Sequence, residues 1–193
     1  MARLYFINEH FTQILVFMAY LFASKRLGFR NWKDSDLPKM AVINSDPTVM
    51  KHFPGTQSKE QTAEFIVRMK KQFETNRFCY FAVDELEKEE FIGFIGISEQ
   101  TYEADFTPCI DIGWRIAAQH WDKGFATEGA KKVLAYAFNE LGLDRILSIA
   151  PMVNTASEHV MQKIGMQKVK TFEHSLLKDN ERLKQCVLYE IKS

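Results

Sequence analysis

The chain has 193 residues, which corresponds to one ordinary domain with room for a short appendage. Its 25 basic and 25 acidic residues cancel, so it lacks the broad basic surface that non-specific nucleic-acid binders present to phosphates. Hydrophobic residues make up 46% of the chain and charged residues 26%, which excludes a disordered protein. We therefore expect a globular domain that does not bind nucleic acid.

The cysteines and histidines predict neither a disulfide framework nor a metal site. Cys79, Cys109 and Cys186 are odd in number and form no C-x-x-C pair, so we expect free thiols in the reducing cytoplasm. The five histidines are scattered along the chain without a metal-binding spacing.

Residues 1–24 form a predicted N-terminal extension. Residues 11–24 carry no charge, but this run is shorter than the roughly 20 apolar residues that span a membrane. A signal peptide is disfavoured, because Glu9 lies in the n-region and no small-residue cleavage site follows. We expect residues 11–22 to pack onto the domain or onto a second copy of it, and in the second case the protein would be a homodimer. Met18 is an alternative start of the chain.

The first half of the domain predicts a strand, three helical segments and an antiparallel meander. Ser58 and Gln61 form a capping box that opens the longest helix. The charged connection ELEKEE joins two apolar strands, and PCIDIGWRI reads as a third strand. The predicted elements are a strand at 25–31, helical segments at 35–43, 46–50 and 58–73, and strands at 78–84, 91–98 and 108–116.

The second half alternates between helices and strands. A loop at 117–123 leads to a helix that Gly142 ends, and Asn154 caps a later helix that stops at Gly165. The predicted helices cover 124–141 and 154–165, and the strands cover 145–150, 166–173 and 184–191. The sequence therefore predicts one mixed α/β domain over residues 25–193.

A phosphate-binding pattern lies at the junction of a strand and a helix. The stretch QHWDKGFATEG at 119–129 combines small residues with the unpaired N–H groups of a helix start, which favour a phosphate. Gly124 and Ala126 leave room for a diphosphate close to the backbone. A Rossmann unit is excluded because Asp144 precedes the next strand, and a P-loop is excluded because no Lys follows Gly129 directly. A helix start that only packs tightly remains the alternative.

Several motifs in order resemble the GNAT N-acetyltransferase superfamily. They are DIGWRI at 111–116, WDKGFATE at 121–128 and N-x-x-S-x-x-V-M-x-K-I-G-M at 154–166. Two others, R-L-x-x-R-x-W-x-x-x-D-L at 26–37 and D-P-x-V-M at 46–50, resemble its RimJ/RimL-type branch, which includes ribosomal-protein N-terminal acetyltransferases. The resemblance covers nearly everything except the extension.

This resemblance implies a twisted, mixed, mostly antiparallel sheet flanked by helices, with acetyl-CoA as co-substrate. The sheet opens between the fourth and fifth predicted strands, and acetyl-CoA lies in that gap. Ile116 matches the strand edge that pairs with the pantetheine arm, and Asn154 matches a residue that contacts the arm. Ser157, one turn further on the same face, is a catalytic candidate. The loop that holds the CoA diphosphate corresponds to Asp122, Lys123, Gly124, Phe125, Ala126 and Thr127.

Two positions depart from the superfamily pattern. Trp121 stands where the general motif begins with Gln or Arg, and Met161 stands where many members carry a tyrosine acid. The general acid is therefore unassigned. Asp111 matches a position where some members carry the general base, and a carboxylate in an apolar strand needs water or a partner. A structural pair of Asp111 with Arg115 is the alternative.

The resemblance implies transfer of an acetyl group to a primary amine by direct attack in a ternary complex. Asp111 would take the amine proton through water, while a backbone amide near Ile116 polarises the thioester carbonyl. The acceptor is a protein N-terminus or a small-molecule amine. The alternative is a catalytically silent acyl-CoA-binding sensor or interaction module, which Met161 favours.

Overall fold

The computed structural model describes residues 20–193. Its eight strands are Phe22–Ala23 (β1), Leu27–Arg30 (β2), Tyr80–Glu85 (β3), Glu90–Gln100 (β4), Cys109–Ile116 (β5), Arg145–Pro151 (β6), Gln167–Glu173 (β7) and Gln185–Lys192 (β8). Its four α-helices are Leu37–Ser45 (α1), Lys59–Asn76 (α2), Phe125–Asn139 (α3) and Thr155–Lys163 (α4). Short 3-10 turns lie at Asp34–Asp36, Val49–His52, Ala118–His120 and Ser175–Leu177.

The strands form one mixed sheet in the order β1-β2-β3-β4-β5-β6-β8-β7. Among these described strands, neighbours are antiparallel except β5 and β6, which are parallel and connected through α3. The predicted fold class, a mostly antiparallel sheet flanked by helices, is confirmed. Among residues 20–193, no helix combines the length and apolar character that crossing a membrane requires.

Strands β5 and β6 separate along most of their length. Their register comprises one pair, Asp111 opposite Leu147. The buried Ser148 hydroxyl donates to the Ile112 carbonyl at 3.0 Å, next to that pair. The opening therefore lies between the strands predicted at 108–116 and 145–150, as the resemblance implies.

Helices α2 and α3 cover opposite faces of the sheet. On β4, the Phe94 ring packs 5.2 Å from the Phe65 ring of α2. The next side chain, Ile95, faces α3, where a Cβ on Gly129 would lie 2.3 Å from the Ile95 Cδ1. Because successive strand side chains point to opposite faces, the two helices sandwich the sheet. A side chain at Gly129 would have to displace Ile95 for α3 to approach this closely.

Residues 20–24 of the predicted extension contribute the first strand of the sheet. The Phe22 ring stacks on Phe29 at 4.7 Å and on Tyr136 at 4.4 Å. The Tyr20 hydroxyl donates to Asp84 at 3.3 Å. Residues 11–19, the remainder of the segment expected to pack, lie outside the described residues.

A buried ion network around Arg30 links β2, the turn at Asp34–Asp36 and β3. The buried Arg30 guanidinium donates to both carboxylate oxygens of Asp36 at 2.7 and 2.9 Å, and to both of Asp84 at 2.6 and 2.7 Å. Burial disfavours the charge on Arg30, but the hydrogen bonds to the two carboxylates outweigh it and raise the Arg30 pKa. Part of the branch motif is thus a buried ion network in this fold.

Candidate active site

A cleft of about 1570 Å³ opens where β5 and β6 part. Of the ten site residues predicted from the sequence, all but Lys123 line this cleft: Asp111, Ile116, Asp122, Gly124, Phe125, Ala126, Thr127, Asn154 and Ser157. The fold therefore brings together residues from β5, the loop before α3 and the start of α4.

The loop before α3 exposes unpaired backbone amides. Asp122 and Gly124 both adopt positive φ angles, 58° and 78°, and α3 begins at the next residue. The first bond of the helix runs from the Glu128 N–H to the Gly124 carbonyl at 3.0 Å, and no side chain of the described residues caps this end. The N–H groups of residues 125–127 are therefore without helical partners, the arrangement that binds phosphates.

Arg26 anchors this loop from the side. Its Nη1 donates to the Lys123 carbonyl at 3.0 Å, and its Nε donates to Glu128 at 2.6 Å. The Ser24 hydroxyl donates to the same carboxylate at 2.7 Å. Partial burial opposes ionisation of Glu128, but these hydrogen bonds outweigh it and lower the Glu128 pKa. Glu128 therefore forms a direct ion pair with Arg26 that holds the loop.

Trp121 fixes the turn between β5 and the loop. Its indole Nε1 donates to the Ile116 carbonyl at 2.8 Å. The residue that departs from the superfamily motif thus has a structural partner at the edge of the cleft.

Asp111 is half-buried at the floor of the cleft. Its Oδ1 accepts from the Tyr80 hydroxyl at 2.5 Å and from Gln100 Nε2 at 3.0 Å. Burial raises the pKa of Asp111 to about 6, although both hydrogen bonds act in the opposite direction. At neutral pH this carboxylate is ionised and still basic enough to accept a proton.

The alternative pairing of Asp111 with Arg115 is wrong. Arg115 Nη1 donates instead to Asn44 Oδ1 at 2.6 Å and to Gln57 Oε1 at 3.3 Å. Its guanidinium lies 4.1 Å from the centre of the Phe53 ring. Burial lowers the pKa of Arg115 to about 10, so it remains a cation at neutral pH without neutralising Asp111.

Tyr80 is a site residue that the sequence analysis missed. It lies on β3, opposite Gly96 of β4, which in turn lies opposite Gly113 of β5. A Cβ on Gly113 would lie 3.2 Å from the Tyr80 ring. Gly113 therefore leaves the space through which Tyr80 reaches Asp111. Gly96 instead permits the close approach of the β3 backbone, since a Cβ there would lie 2.1 Å from the Cys79 carbonyl oxygen. Glycines at 96 and 113 within apolar strands were the signal in the sequence.

The start of α4 forms the opposite wall of the cleft. Asn154 Oδ1 accepts from the Ser157 N–H at 3.2 Å, which confirms Asn154 as the cap of this helix. Met161, at the position of the usual tyrosine acid, is 1% exposed and also borders the cleft. A thioether cannot donate a proton, so this position supplies no acid.

Comparisons with known proteins identify the family and the fold. Residues 26–167 match the Acetyltransferase (GNAT) domain family. The chain is 32% identical over 162 residues to the uncharacterized N-acetyltransferase YnaD of Bacillus subtilis (strain 168), covering 82% of this chain and 89% of that protein. A GNAT-family acetyltransferase from Bacillus anthracis has a TM-score of 0.74 at 27% identity, covering 88% of this chain and 96% of that chain. Spermidine N-acetyltransferase from Vibrio cholerae, solved with CoA and spermine, has a TM-score of 0.69 at 21% identity, covering 86% and 95%.

The fold is that of the acyl-CoA N-acyltransferases. The chain belongs to the GNAT acetyltransferase family, because the family match covers most of its length. Members of this family use acetyl-CoA as co-substrate and acetylate amines.

Proposed function

We propose that this protein transfers the acetyl group of acetyl-CoA to a primary amine by direct attack in a ternary complex. The observation that carries the proposal is Asp111, a carboxylate with a pKa of about 6 in the same cleft as the amides before α3. A base tuned close to neutral pH next to a phosphate-binding loop suits a reaction between CoA and an amine.

In this proposal the loop and the strand edge hold acetyl-CoA. The amides of residues 125–127 bind the diphosphate, and Asp122, Lys123 and Gly124 form the turn that presents them. The pantetheine arm enters the gap beside Ile116 and extends towards Asn154 on the facing helix. Binding both reactants side by side removes most of the entropic barrier to an encounter in solution.

The chemical step needs a base but no covalent nucleophile. As the amine nitrogen bonds to the thioester carbon, its proton passes through water to Asp111, and the C–S bond then breaks to release CoA. A backbone amide near Ile116 polarises the carbonyl oxygen. Tyr80 and Gln100 hold the carboxylate in position. Ser157 lines the same cleft and is the second catalytic candidate.

The lining of the cleft favours an acceptor that is not a polycation. Its cationic side chains outnumber its carboxylates. The buried Arg115 has no acidic partner among the described residues, since it donates to Asn44 and Gln57. The cations are Lys51, Arg68, Lys71, Arg115 and Lys163, and the carboxylates are Glu99, Asp111 and Asp122. A protein N-terminus or a small monoamine fits better than a polyamine. The motif at 26–37 favours the RimJ/RimL-type branch.

Turnover across an amine library tests the proposal. Peptides with free N-termini, amino acids, a polyamine and an aminoglycoside are each incubated with acetyl-CoA and the full chain. Thiol release and mass spectrometry of the products report the reaction. We expect acetylation of at least one monoamine. Binding of CoA without acetylation of any amine would instead favour a silent CoA-binding module.

We also propose that the protein acts in the cytoplasm. Cys79, Cys109 and Cys186 are unpaired in the described part of the chain. Unpaired thiols suit a reducing compartment.

A further inference from the structure

His120 is buried between two carboxylates at the end of the hairpin formed by β3 and β4. Its Nδ1 lies 3.6 Å from Glu85 Oε2, and its Nε2 lies 3.5 Å from Glu90 Oε2. The His120 residue is 3% exposed. Within residues 20–193, neither ring nitrogen has a hydrogen-bond partner, and the buried Glu85 Oε2 has none either.

A neutral imidazole does not satisfy this arrangement. Either tautomer carries one N–H and one bare lone pair. Since each nitrogen of His120 faces a carboxylate oxygen, one lone pair always points at another in a buried site. Both separations also exceed the 2.7–3.2 Å of an N–H···O hydrogen bond. A bound cation or an additional proton among the three side chains is needed to remove this repulsion.

We propose that His120, Glu85 and Glu90 bind one divalent transition-metal ion of the zinc class. One ligand atom from each residue lies within 4.8 Å of the other two. Two ligands at about 2.0–2.2 Å from one tetrahedral ion lie about 3.4 Å apart, close to the separation between either ring nitrogen and the carboxylate oxygen that faces it.

The donor set and the surrounding charge select the class of ion. An imidazole with two carboxylates suits Zn²⁺, whereas Mg²⁺ prefers oxygen ligands alone. The connection 85–90 carries four glutamates and one lysine. Lys88 Nζ lies 3.7 Å from Glu85 Oε2, but the Lys88 side chain is 55% exposed and leaves the buried nitrogens unpaired. The local charge therefore favours a cation.

The ion joins two parts of the chain that are distant in sequence. Glu85 and Glu90 flank the turn between β3 and β4, while His120 ends the 3-10 turn directly before the loop at 121–124. The bound ion therefore holds the base of that loop, and its role is structural. This inference does not depend on the proposed acetyl transfer.

Calorimetric titration of the untagged, chelator-treated full chain with Zn²⁺ tests the proposal, with Mg²⁺ titrated separately. We expect one Zn²⁺ per chain, no comparable binding of Mg²⁺, and a higher midpoint of thermal unfolding with Zn²⁺. Glu90→Gln alters a half-exposed ligand and should weaken Zn²⁺ binding at least about tenfold. Glu87→Gln removes an exposed glutamate of the same turn and should leave binding unchanged, and His159→Gln controls for an exposed histidine.

His120→Asn is the second variant and should also weaken Zn²⁺ binding. If this buried substitution prevents folding, the half-exposed Glu90→Gln variant still decides the test. Absence of 1:1 Zn²⁺ binding in the wild type would overturn the proposal. Equal affinity of wild type and Glu90→Gln would also overturn it. If Zn²⁺ has no effect while nuclear magnetic resonance shows a doubly protonated His120, the two carboxylates hold an imidazolium and the metal assignment is wrong.

Discussion

Tyr80 governs the environment of Asp111 through a short hydrogen bond. The hydroxyl donates to Asp111 Oδ1 at 2.5 Å, and Gln100 Nε2 lies 3.1 Å from the same hydroxyl and 3.0 Å from the same carboxylate oxygen. Burial raises the pKa of Asp111, and these two donors limit the rise. The pKa of Asp111 is therefore determined by burial and by two uncharged hydrogen-bond donors, and not by a charged partner.

Tyr80→Phe should move the pH dependence of the reaction. Loss of the donor removes an interaction that stabilises the carboxylate, so the pKa of Asp111 should rise further above about 6. Because the base must be ionised, the acidic limb of the kcat/KM profile should shift to higher pH. Tyr136→Phe is the control, since that hydroxyl donates to the Arg77 carbonyl. Superimposable profiles of Tyr80→Phe and wild type would contradict this assignment.

Gly124→Glu should abolish CoA binding while the protein stays folded. The substitution places bulk and negative charge where the diphosphate is proposed to bind, at a residue with φ of 78°. Gly142→Glu is a matched control, because Gly142 also has a positive φ, 67°, with no atom within 4 Å of an added Cβ. Calorimetry with CoA and thermal unfolding separate the two effects. Equal CoA affinity in the two variants would contradict the loop assignment.

At the scale of elements, local signals in the sequence were sufficient for the helices. Ser58 and Gln61 form both bonds of the predicted capping box, and Asn154 caps α4. The alternation in PCIDIGWRI predicted β5. These features depend on neighbours within a few residues, so the sequence carries them directly.

Contacts across strands could not be predicted in the same way. The bond between Tyr80 and Asp111 depends on the register of three strands, and the sequence does not state that register. His120 meets Glu85 and Glu90 only once the β3–β4 hairpin and the turn before α3 are in place. Histidine spacing along the chain therefore gave no indication of this cluster.

Asp36→Asn should destabilise the fold by about 3 kcal/mol, because it removes one carboxylate from a buried ion network. Asp36 is 2% exposed and accepts two hydrogen bonds from Arg30 and one from the Lys33 N–H. Asp34→Asn is the control in the same turn, since the Asp34 side chain is exposed and pairs only with Lys70 at the surface. Unfolding in denaturant measures both. Similar free energies of unfolding for the two variants would contradict a stabilising role for the network.

At the scale of the whole molecule, β1 connects the N-terminal part of the described chain to both the sheet and α3. Phe22 contacts rings on β2, β3 and α3, and Ser24 bonds to Glu128 beside the loop. We propose that residues 1–17 are dispensable for the fold, whereas residues 20–24 stabilise it.

A chain that begins at Met18 should fold and bind CoA, whereas a chain that begins at Lys25 should unfold at a lower temperature. The shorter chain loses the aromatic contacts of Phe22 and one support of the loop. Thermal unfolding, CoA titration and light scattering compare both with the full chain. If the Met18 chain does not fold, residues 1–17 belong to the core and the proposed division is wrong.

The central claim is that Asp111 is the base of an acetyl transfer, and turnover of Asp111→Asn with the best amine tests it most directly. Folding raises the pKa of Asp111 from 3.8 to about 6, so the wild type loses stability as pH rises through this range. Asp111→Asn has no ionisable group at this position, and its amide oxygen can still accept from Tyr80. Its free energy of unfolding at pH 8 should therefore be no lower than that of the wild type. We predict a fall in kcat of about 10²–10⁴-fold with unchanged CoA affinity. A folded variant with turnover close to wild type would contradict the account.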